Sequence, residues 1–253
     1  MLRRICVVLL LMLSSIQAAA RSDHWSLGLQ AYDAGDYREA VDHFEKILKI
    51  DNRRGHVLFN LGNAYQKMGS NGSALGAYYA ARVLMPRDPD LKANISFIEK
   101  GVTDQLDSRI DKPLWLRSFV WLESTNDREQ FWLACSCFGF ALFLLGLGLW
   151  ASGVKAVAWS GAGVFVVLAV TFSSGMAVSR FLRPNWGAVS QSSVDVLAGP
   201  SASAIQLFKL KQGAPVMVEQ RSGDWYEIRL SDGKKGWARS AAVSFYKIDR
   251  GLL

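Results

Sequence analysis

The sequence is short of the residue types that carry out catalysis or bind metals. It contains three cysteines and three histidines in 253 residues. The histidines, at positions 24, 43 and 56, show no metal-ligand spacing, so we interpret them as surface or packing residues. Cys135 and Cys137 lie two positions apart on a predicted helix, about 200° apart around its axis, and cannot hold one metal together.

Enzyme motifs and nucleic-acid motifs are lacking as well. The sequence has no nucleophile elbow, no phosphate-binding loop and no paired-carboxylate motif, so we expect no enzyme activity, no cofactor and no metal. The net charge is +7, and residues 180–253 hold eleven Lys and Arg against six Asp and Glu. These cations are spread out, with no basic and aromatic run of the kind that a nucleic-acid groove needs, so we expect no nucleic-acid partner.

Two long runs without a charged residue are present instead, at residues 131–151 and 156–178. At about 1.5 Å per residue, a helix of either length crosses a hydrocarbon core of about 30 Å. A buried helix of a soluble protein is the alternative for each run. Because a linker of four residues, "SGVK", separates the two runs, we predict a hairpin of two transmembrane helices.

Small residues recur along both predicted transmembrane helices. In the second helix they are spaced by three, four or seven positions, and the first helix has two glycines on one face. Such stripes let helix backbones approach each other in lipid. We expect them to pack the hairpin internally, and the alternative is that the end of the second stripe docks a partner's helix. The residues are Gly139, Gly146, Ala158, Ala162, Ala169, Ser173 and Ala177.

Two further segments are predicted to meet the membrane. Residues 1–20 have a basic start, a nine-residue apolar core and a small-residue end that suits cleavage after Ala20, which is typical of an export signal. Residues 113–124 place Trp115, Phe119 and Leu122 on one helical face. This segment suits the headgroup layer, so membrane lipid is one expected partner. A soluble amphipathic helix that packs on the preceding domain is the alternative.

Residues 23–111 contain an internal repeat with a period of 34 residues. The matched pairs are Leu27-Gly28 with Leu61-Gly62, Gly35 with Gly69, Ala40 with Ala74, Phe44 with Tyr78, and Asn52 with Pro86. This pattern resembles the tetratricopeptide repeat. The resemblance implies helix pairs over about 21–54 and 55–88 and a capping helix over 88–106. So short an array should depend on a partner or on the membrane for part of its stability.

The resemblance to tetratricopeptide repeats also implies a concave groove for a peptide or a partner helix. The groove residues would be Leu29, Asp33, Phe59, Asn63, Gln66, Lys67 and Asn94. Asn63 coincides with the asparagine that related repeats use to hold a C-terminal carboxylate. Related repeats have a lysine one turn earlier, but this position is Trp25 in the first repeat and Phe59 in the second. We therefore expect a half-apolar groove for a partner segment rather than carboxylate capture. The alternative is that these are ordinary surface residues.

The last part of the chain alternates apolar and polar residues between turn-forming elements. "VDVLAGPS", "GDW", "GWA" and an Asp232-Gly233 turn occur in that order, and Val216, Val218, Tyr226, Ile228 and Leu230 should point inward. Residues 188–247 therefore resemble a bacterial SH3-like domain, which implies binding of peptides or cell-wall components. Trp225 falls on the face opposite Ile228 and is a candidate contact residue, while Trp237 suits either the core or the binding face.

The order of these parts resembles the BatE-type proteins of bacterial aerotolerance operons. The expected fold is a multidomain membrane protein with all-α tetratricopeptide repeats, two transmembrane α-helices and a small all-β SH3-like barrel. The resemblance implies a two-pass protein of the bacterial inner membrane with both soluble domains in the periplasm. It also implies membrane-anchored von Willebrand A-type partners from the same operon. Two functions stay open: a non-catalytic scaffold, and an envelope sensor whose SH3-like domain grips peptidoglycan.

Overall fold

The computed structural model describes residues 23–103, 125–182 and 185–248. The chain forms two compact units. One contains the helical repeats together with the β-rich C-terminal part, and the other contains the two long apolar helices. The predicted export signal, residues 1–20, and the predicted interfacial helix, residues 113–124, lie outside the described residues.

Over residues 23–103, the first unit contains five helices. Helix α1 is described over residues 23–33, and it is followed by α2 (Tyr37–Ile50), α3 (Gly55–Lys67), α4 (Asn71–Leu84) and α5 (Pro89–Thr103). Gly35 and Gly69 join the helices of each pair in tight turns with positive φ angles of 83° and 72°. Only glycine adopts this conformation without strain, which confirms the turn positions predicted from the repeat.

Equivalent glycine and aromatic residues pack the two helix pairs. A Cβ atom added at Gly28 would lie 2.7 Å from the ring of Phe44, and one added at Gly62 would overlap the ring of Tyr78. Phe44 and Tyr78 are both fully buried. The absence of a side chain at the two glycines therefore lets the paired helices approach around each ring, as the aligned repeat predicts.

Helix α5 covers the open apolar face of the second repeat. Asp88 Oδ1 accepts a hydrogen bond from the backbone N–H of Leu91 at 2.9 Å, which satisfies one of the free donors at the start of the helix. Leu91, Ile95 and Ile98 are buried in the same core as both repeats. These contacts are those expected of a capping helix.

Seven antiparallel strands make up the C-terminal part of the first unit. They are β1 (Trp186–Val189), β2 (Ser193–Leu197), β3 (Gln206–Lys211), β4 (Pro215–Ser222), β5 (Trp225–Arg229), β6 (Lys235–Arg239) and β7 (Val243–Ser244). Their order in the sheet is β3-β2-β6-β5-β4-β1-β7. The predicted inward residues of β4 and β5 are buried or packed against the core. Gly233 has a φ of 88° at the turn before β6.

Helix α4 packs against strands β1 and β7 of the sheet. A Cβ atom at Gly72 would overlap the carbonyl oxygen of Val189, and one at Gly76 would overlap Ser244. All residues from Ala74 to Ala81 are buried, because α4 contacts other helices on one side and the sheet on the other. The partner that so short a repeat array was expected to need is thus supplied by the same chain.

Polar and aromatic contacts complete the junction between the repeats and the sheet. The rings of Tyr79 and Trp186 lie 6.0 Å apart, and Asn52 Nδ2 donates to the carbonyl oxygen of Lys247 at 3.0 Å. Tyr246 is hydrogen-bonded to Tyr65 of α3, and burial raises the pKa of Tyr246 to about 12. Both phenols therefore stay neutral, as a buried junction requires.

The described part of the second unit is a hairpin of helices α6 (Asp127–Trp150) and α7 (Lys155–Leu182), joined through a 3₁₀ turn at Ser152–Val154. Both helices are long and apolar enough to cross a membrane by length and composition. Helix α6 begins with a capping box, in which the Asn126 side chain accepts from the N–H of Glu129 and the Glu129 side chain accepts from the N–H of Asn126.

The packing of the hairpin corrects one prediction about its glycines. Gly139 and Gly146 are exposed, and a Cβ atom at either would meet nothing within 4 Å. Helix α6 instead buries Ala141 and Gly148. Each predicted glycine lies two positions from one of these residues, about 200° around the helix axis, so the glycines lie away from the contact seam.

Three of the five predicted small residues of α7 lie as predicted, and one does not. Ala158, Ala162 and Ala169 are buried, with exposed fractions of 5%, 1% and 7%. Ser173 is exposed, and the side chain of Ala177 lies outside the described part of the chain. Helix α7 therefore directs its alanines to α6, which favours internal packing of the hairpin.

Candidate functional site

Four polar side chains meet on the floor of the predicted groove, on helices α3, α4 and α5. The Tyr78 hydroxyl oxygen lies 2.7 Å from Asn63 Oδ1 and 2.8 Å from Gln66 Oε1. Asn94 Nδ2 lies 3.1 Å from Asn63 Oδ1 and 3.3 Å from the Tyr78 oxygen. The structure thus brings three predicted groove residues together around a tyrosine.

The hydrogen-bond pattern of this network fixes the orientation of Asn63. Burial raises the pKa of Tyr78 above its ordinary value, so the phenol keeps the one proton that it can donate. Asn63 Oδ1 accepts from Asn94 and lies closest to the phenol. Because the phenol donates its one proton to Asn63 Oδ1, it can only accept a hydrogen bond from Gln66. The Gln66 amide is therefore turned so that its nitrogen donates to the phenol oxygen. Asn63 Nδ2 takes no part in this network, so its two N–H groups can donate to a ligand.

The other predicted groove residues differ in exposure. Phe59 is half-buried, and its ring centre lies 6.0 Å from that of Tyr78. Leu29 is half-buried against the helical core, while Asp33 and Lys67 are exposed at the ends of α1 and α3. The groove floor is therefore polar at the second repeat and the cap, with apolar side chains beside it.

The role of Tyr78 in the network was missed by sequence reasoning. The repeat alignment assigned its ring to filling space between helices, which it does. The equivalent residue of the first repeat is Phe44, which fills the same space without a hydroxyl group. The difference between Phe44 and Tyr78 is thus the one signal in the sequence that pointed to a polar function at this position.

The sheet presents a second candidate surface on strands β5 and β6. Trp225 pairs with Arg239 across the two strands, and Glu227 pairs with Trp237. These four residues therefore lie on one face of the sheet. Both tryptophans are half-buried and lie outside the buried core of the sheet, so Trp237 accompanies Trp225 on this face.

Cations flank the two tryptophans. The guanidinium carbon of Arg239 lies 4.8 Å from the centre of the Trp225 ring, within cation–π distance. Farther along this face Glu219 accepts a hydrogen bond from Lys235 Nζ at 2.7 Å and pairs with Arg229, and these contacts lower the pKa of Glu219. The face combines flat aromatic surface with hydrogen-bond donors, a combination that suits sugar rings and the peptides attached to them.

The histidines are closer together than their spacing in the sequence suggested. His24 Nδ1 and His43 Nδ1 lie 3.0 Å apart. The two histidines are 19 residues apart in the chain, a separation that lets residues of two paired helices face each other. A search limited to short ligand spacings misses such a pair. Within the described ranges, no group of three or more His, Cys, Asp or Glu residues is arranged to hold a metal ion.

Comparisons with known proteins support both modules of the first unit. Residues 192–244 match the bacterial SH3 domain family. The helical part is similar to the photosystem I assembly protein Ycf3 of a Synechococcus species, with 33% identity over 89 residues that cover 33% of this chain and 51% of that protein. It is also similar to Superkiller protein 3 of Schizosaccharomyces pombe, with 35% identity over 79 residues, 31% of this chain and 6% of that protein.

A solved structure is similar at lower identity. The crystal structure of MamA protein aligns with 65% of this chain and 93% of its own chain, at 16% identity and a TM-score of 0.34. The chain spans about half the length of the Ycf3 relative, 51% of it, and far less of the yeast relative. It therefore has a tetratricopeptide-like helical region and a C-terminal bacterial SH3 domain, with two apolar helices between them.

Proposed function

We propose that the protein is a non-catalytic inner-membrane adaptor whose helical groove binds an extended segment of a partner protein. The observation that supports this function best is the network around Tyr78, which holds Asn63 Oδ1 and frees Asn63 Nδ2. An amide with two free N–H groups donates well to the backbone carbonyl groups of an extended peptide. Phe59 beside it provides apolar contact for a side chain of the same peptide.

The chemistry of the groove favours an internal segment of the partner over its C-terminus. A terminal carboxylate is best bound by cations, and the position one turn before Asn63 is occupied by Phe59. By the resemblance to BatE-type proteins, the partners are membrane-anchored von Willebrand A-type proteins of the same operon. The complex would then act in aerotolerance or in the response to envelope stress.

The proposed location is the bacterial inner membrane, with the repeats and the SH3 domain in the periplasm. The two modules pack on each other through α4, β1 and β7, so they lie in one compartment. Arg3 and Arg4 hold the start of the export signal in the cytoplasm, which sends the repeats out. The one lysine of the hairpin loop, Lys155, is a weaker determinant and does not change this orientation.

A reporter enzyme that is active only in the periplasm should therefore be active when it is fused after Leu253. The same enzyme inserted at Gly153, in the hairpin turn, should be inactive, because two membrane crossings place this turn in the cytoplasm. Inactivity at Leu253 together with activity at Gly153 would show the opposite orientation, and both proposed ligands would then be out of reach.

A second candidate function is binding of peptidoglycan by the SH3 domain. It is favoured by the face formed by Trp225, Trp237 and Arg239, since tryptophan rings stack on sugars and a guanidinium binds carboxylates of cell-wall peptides. In this function the protein would sense the state of the cell wall. The helical repeats would relay binding of the cell wall to the other proteins that they hold.

One set of variants in the full-length protein separates the two functions. Asn63→Ala removes the free amide. The Tyr78 hydroxyl then donates to Gln66, whose amide can turn back to accept, so the fold should survive with a loss of about 1 kcal/mol. We expect Asn63→Ala to reduce co-purification of membrane partners about tenfold, measured by mass spectrometry after detergent extraction. Trp225→Ala should leave these partners bound.

Each variant has a control in its own module. Asn60, on the same helix as Asn63, donates only to the carbonyl oxygen of His56 among the contacts that the structure describes, so Asn60→Ala should keep the partners. Ile205, which is 77% exposed on the same domain as Trp225, serves as the control for the sheet. If Trp225→Ala alone abolishes sedimentation with purified sacculi, and Asn63→Ala loses no partner, the cell-wall function is the correct one.

A further inference from the structure

The histidine pair on the first repeat has no counterpart in the second repeat. The residues 34 positions after His24 and His43 are Leu58 and Ala77. Both of these are buried in the apolar core, so the second repeat fills the same place without any polar group. The two histidines of the first repeat are both half-buried, and their ring centres lie 5.2 Å apart. A polar pair in a place that packs well with apolar residues points to a function.

The distance between the two Nδ1 atoms is close to that between two ligands of one ion. Two imidazole nitrogens bound to a tetrahedral Zn²⁺ at about 2.0–2.1 Å lie about 3.3 Å apart. The two Nδ1 atoms lie 3.0 Å apart, so a shift of a few tenths of an ångström admits an ion. Imidazole nitrogen is a preferred ligand of Zn²⁺ and of its neighbours Cu²⁺ and Ni²⁺.

Glu39 on helix α2 lies close to one of the two rings. Its Oε1 atom lies 3.7 Å from His43 Nε2, on the side of the ring that faces away from His24. Metal-binding histidines commonly donate their outer ring N–H to such a carboxylate, and a movement of under 1 Å by the exposed Glu39 side chain would bring it within hydrogen-bond distance. In the contact between the rings, one of the two Nδ1 atoms carries the shared proton. Binding of an ion by both Nδ1 atoms requires that proton to move to the other nitrogen of the same ring, a change of tautomer.

We propose that His24 and His43 bind one divalent transition-metal ion of the Zn²⁺ class through their Nδ1 atoms, with water in the remaining coordination positions. The site links helix α1 to helix α2 within the first repeat. Binding of the ion therefore stabilises the first repeat, since an ion that binds only the folded state raises its stability. This site is separate from the groove network, which is built by α3, α4 and α5.

The test uses the full-length protein in detergent, with any affinity tag removed because polyhistidine binds the same ions. Calorimetric titration with Zn²⁺ should show one site in the wild-type protein, and Zn²⁺ should raise its unfolding temperature. The variant His24→Leu with His43→Ala copies the residues of the second repeat and should fold, because Leu58 and Ala77 pack at the equivalent positions. We expect it to bind Zn²⁺ about tenfold more weakly or worse.

Two further variants keep the test decisive. His56 is exposed and lies outside the pair, so His56→Ala should bind Zn²⁺ like the wild-type protein. If the double variant does not fold, His24→Asn alone removes one ligand with a small change of volume and should give the same loss. Equal Zn²⁺ binding by the wild-type protein and by His24→Asn, or no binding by the wild-type protein, would overturn the proposal.

Discussion

Replacing Gly72 by alanine should lower the unfolding temperature of the first unit by about 5–10 °C. The added methyl group would overlap the carbonyl oxygen of Val189. That oxygen cannot simply move aside, because it accepts a hydrogen bond from the N–H of Gly213 at 2.8 Å. Strain of this kind costs about 1–3 kcal/mol or more. Thermal unfolding of the full-length protein in detergent, followed by circular dichroism, measures the effect.

Gly101 provides the matched control for this substitution. It lies on α5, it is exposed, and a Cβ atom at this position would meet nothing within 4 Å. Alanine is favoured over glycine within a helix by about 1 kcal/mol, so Gly101→Ala should leave the unfolding temperature unchanged or raise it. If Gly72→Ala and Gly101→Ala unfold at the same temperature, α4 and the sheet do not pack in solution as they do in the structure.

The junction that Gly72 tests could not be predicted from the sequence, whereas the repeats could. Gly35 and Gly69, and likewise Phe44 and Tyr78, recur at one spacing, and a repeat of 34 residues directly fixes which residues share a helix pair. The contact of Gly72 with Val189 joins segments 117 residues apart in the chain and has no counterpart in the first repeat. No periodic pattern marks such a contact.

The candidate sites show the same division. Asn63, Gln66 and Asn94 were predicted as groove residues from the repeat, and the structure places them in one hydrogen-bond network. The network depends on the hydroxyl group of Tyr78, whose position follows from how α4 is rotated against α3. The contact of His24 with His43 likewise depends on the register of two helices, which alternation and spacing along one segment do not reveal.

The hairpin shows why helical phase is harder to predict than helix position. Both apolar helices were located from their length and composition, and the structure has helices there. Three alanines of the stripe on α7, Ala158, Ala162 and Ala169, were also assigned to the correct face, whereas Ser173 is exposed. On α6, however, two pairs of small residues have the same spacing of seven positions: Gly139 with Gly146, and Ala141 with Gly148. Two faces of the helix therefore each offered a small-residue pair. Only contact with α7 decides between them.

Ala162→Leu should therefore disrupt the hairpin, while Gly146→Leu should not. Ala162 is 1% exposed, so a leucine there would force α6 and α7 apart at the point where their backbones are close. Gly146 is exposed, and a leucine at this position adds apolar surface that lipid accepts. We expect Ala162→Leu to lower the amount of full-length protein in the membrane fraction several-fold, measured by immunoblot against Gly146→Leu as the control. Docking of a partner's helix on the part of the stripe near Ala169 needs a different substitution. Leucine at buried Ala169 would also separate the two helices, so this docking is tested at exposed Ser173. A loss of protein with Gly146→Leu but not with Ala162→Leu would place the contact seam on the opposite face of α6.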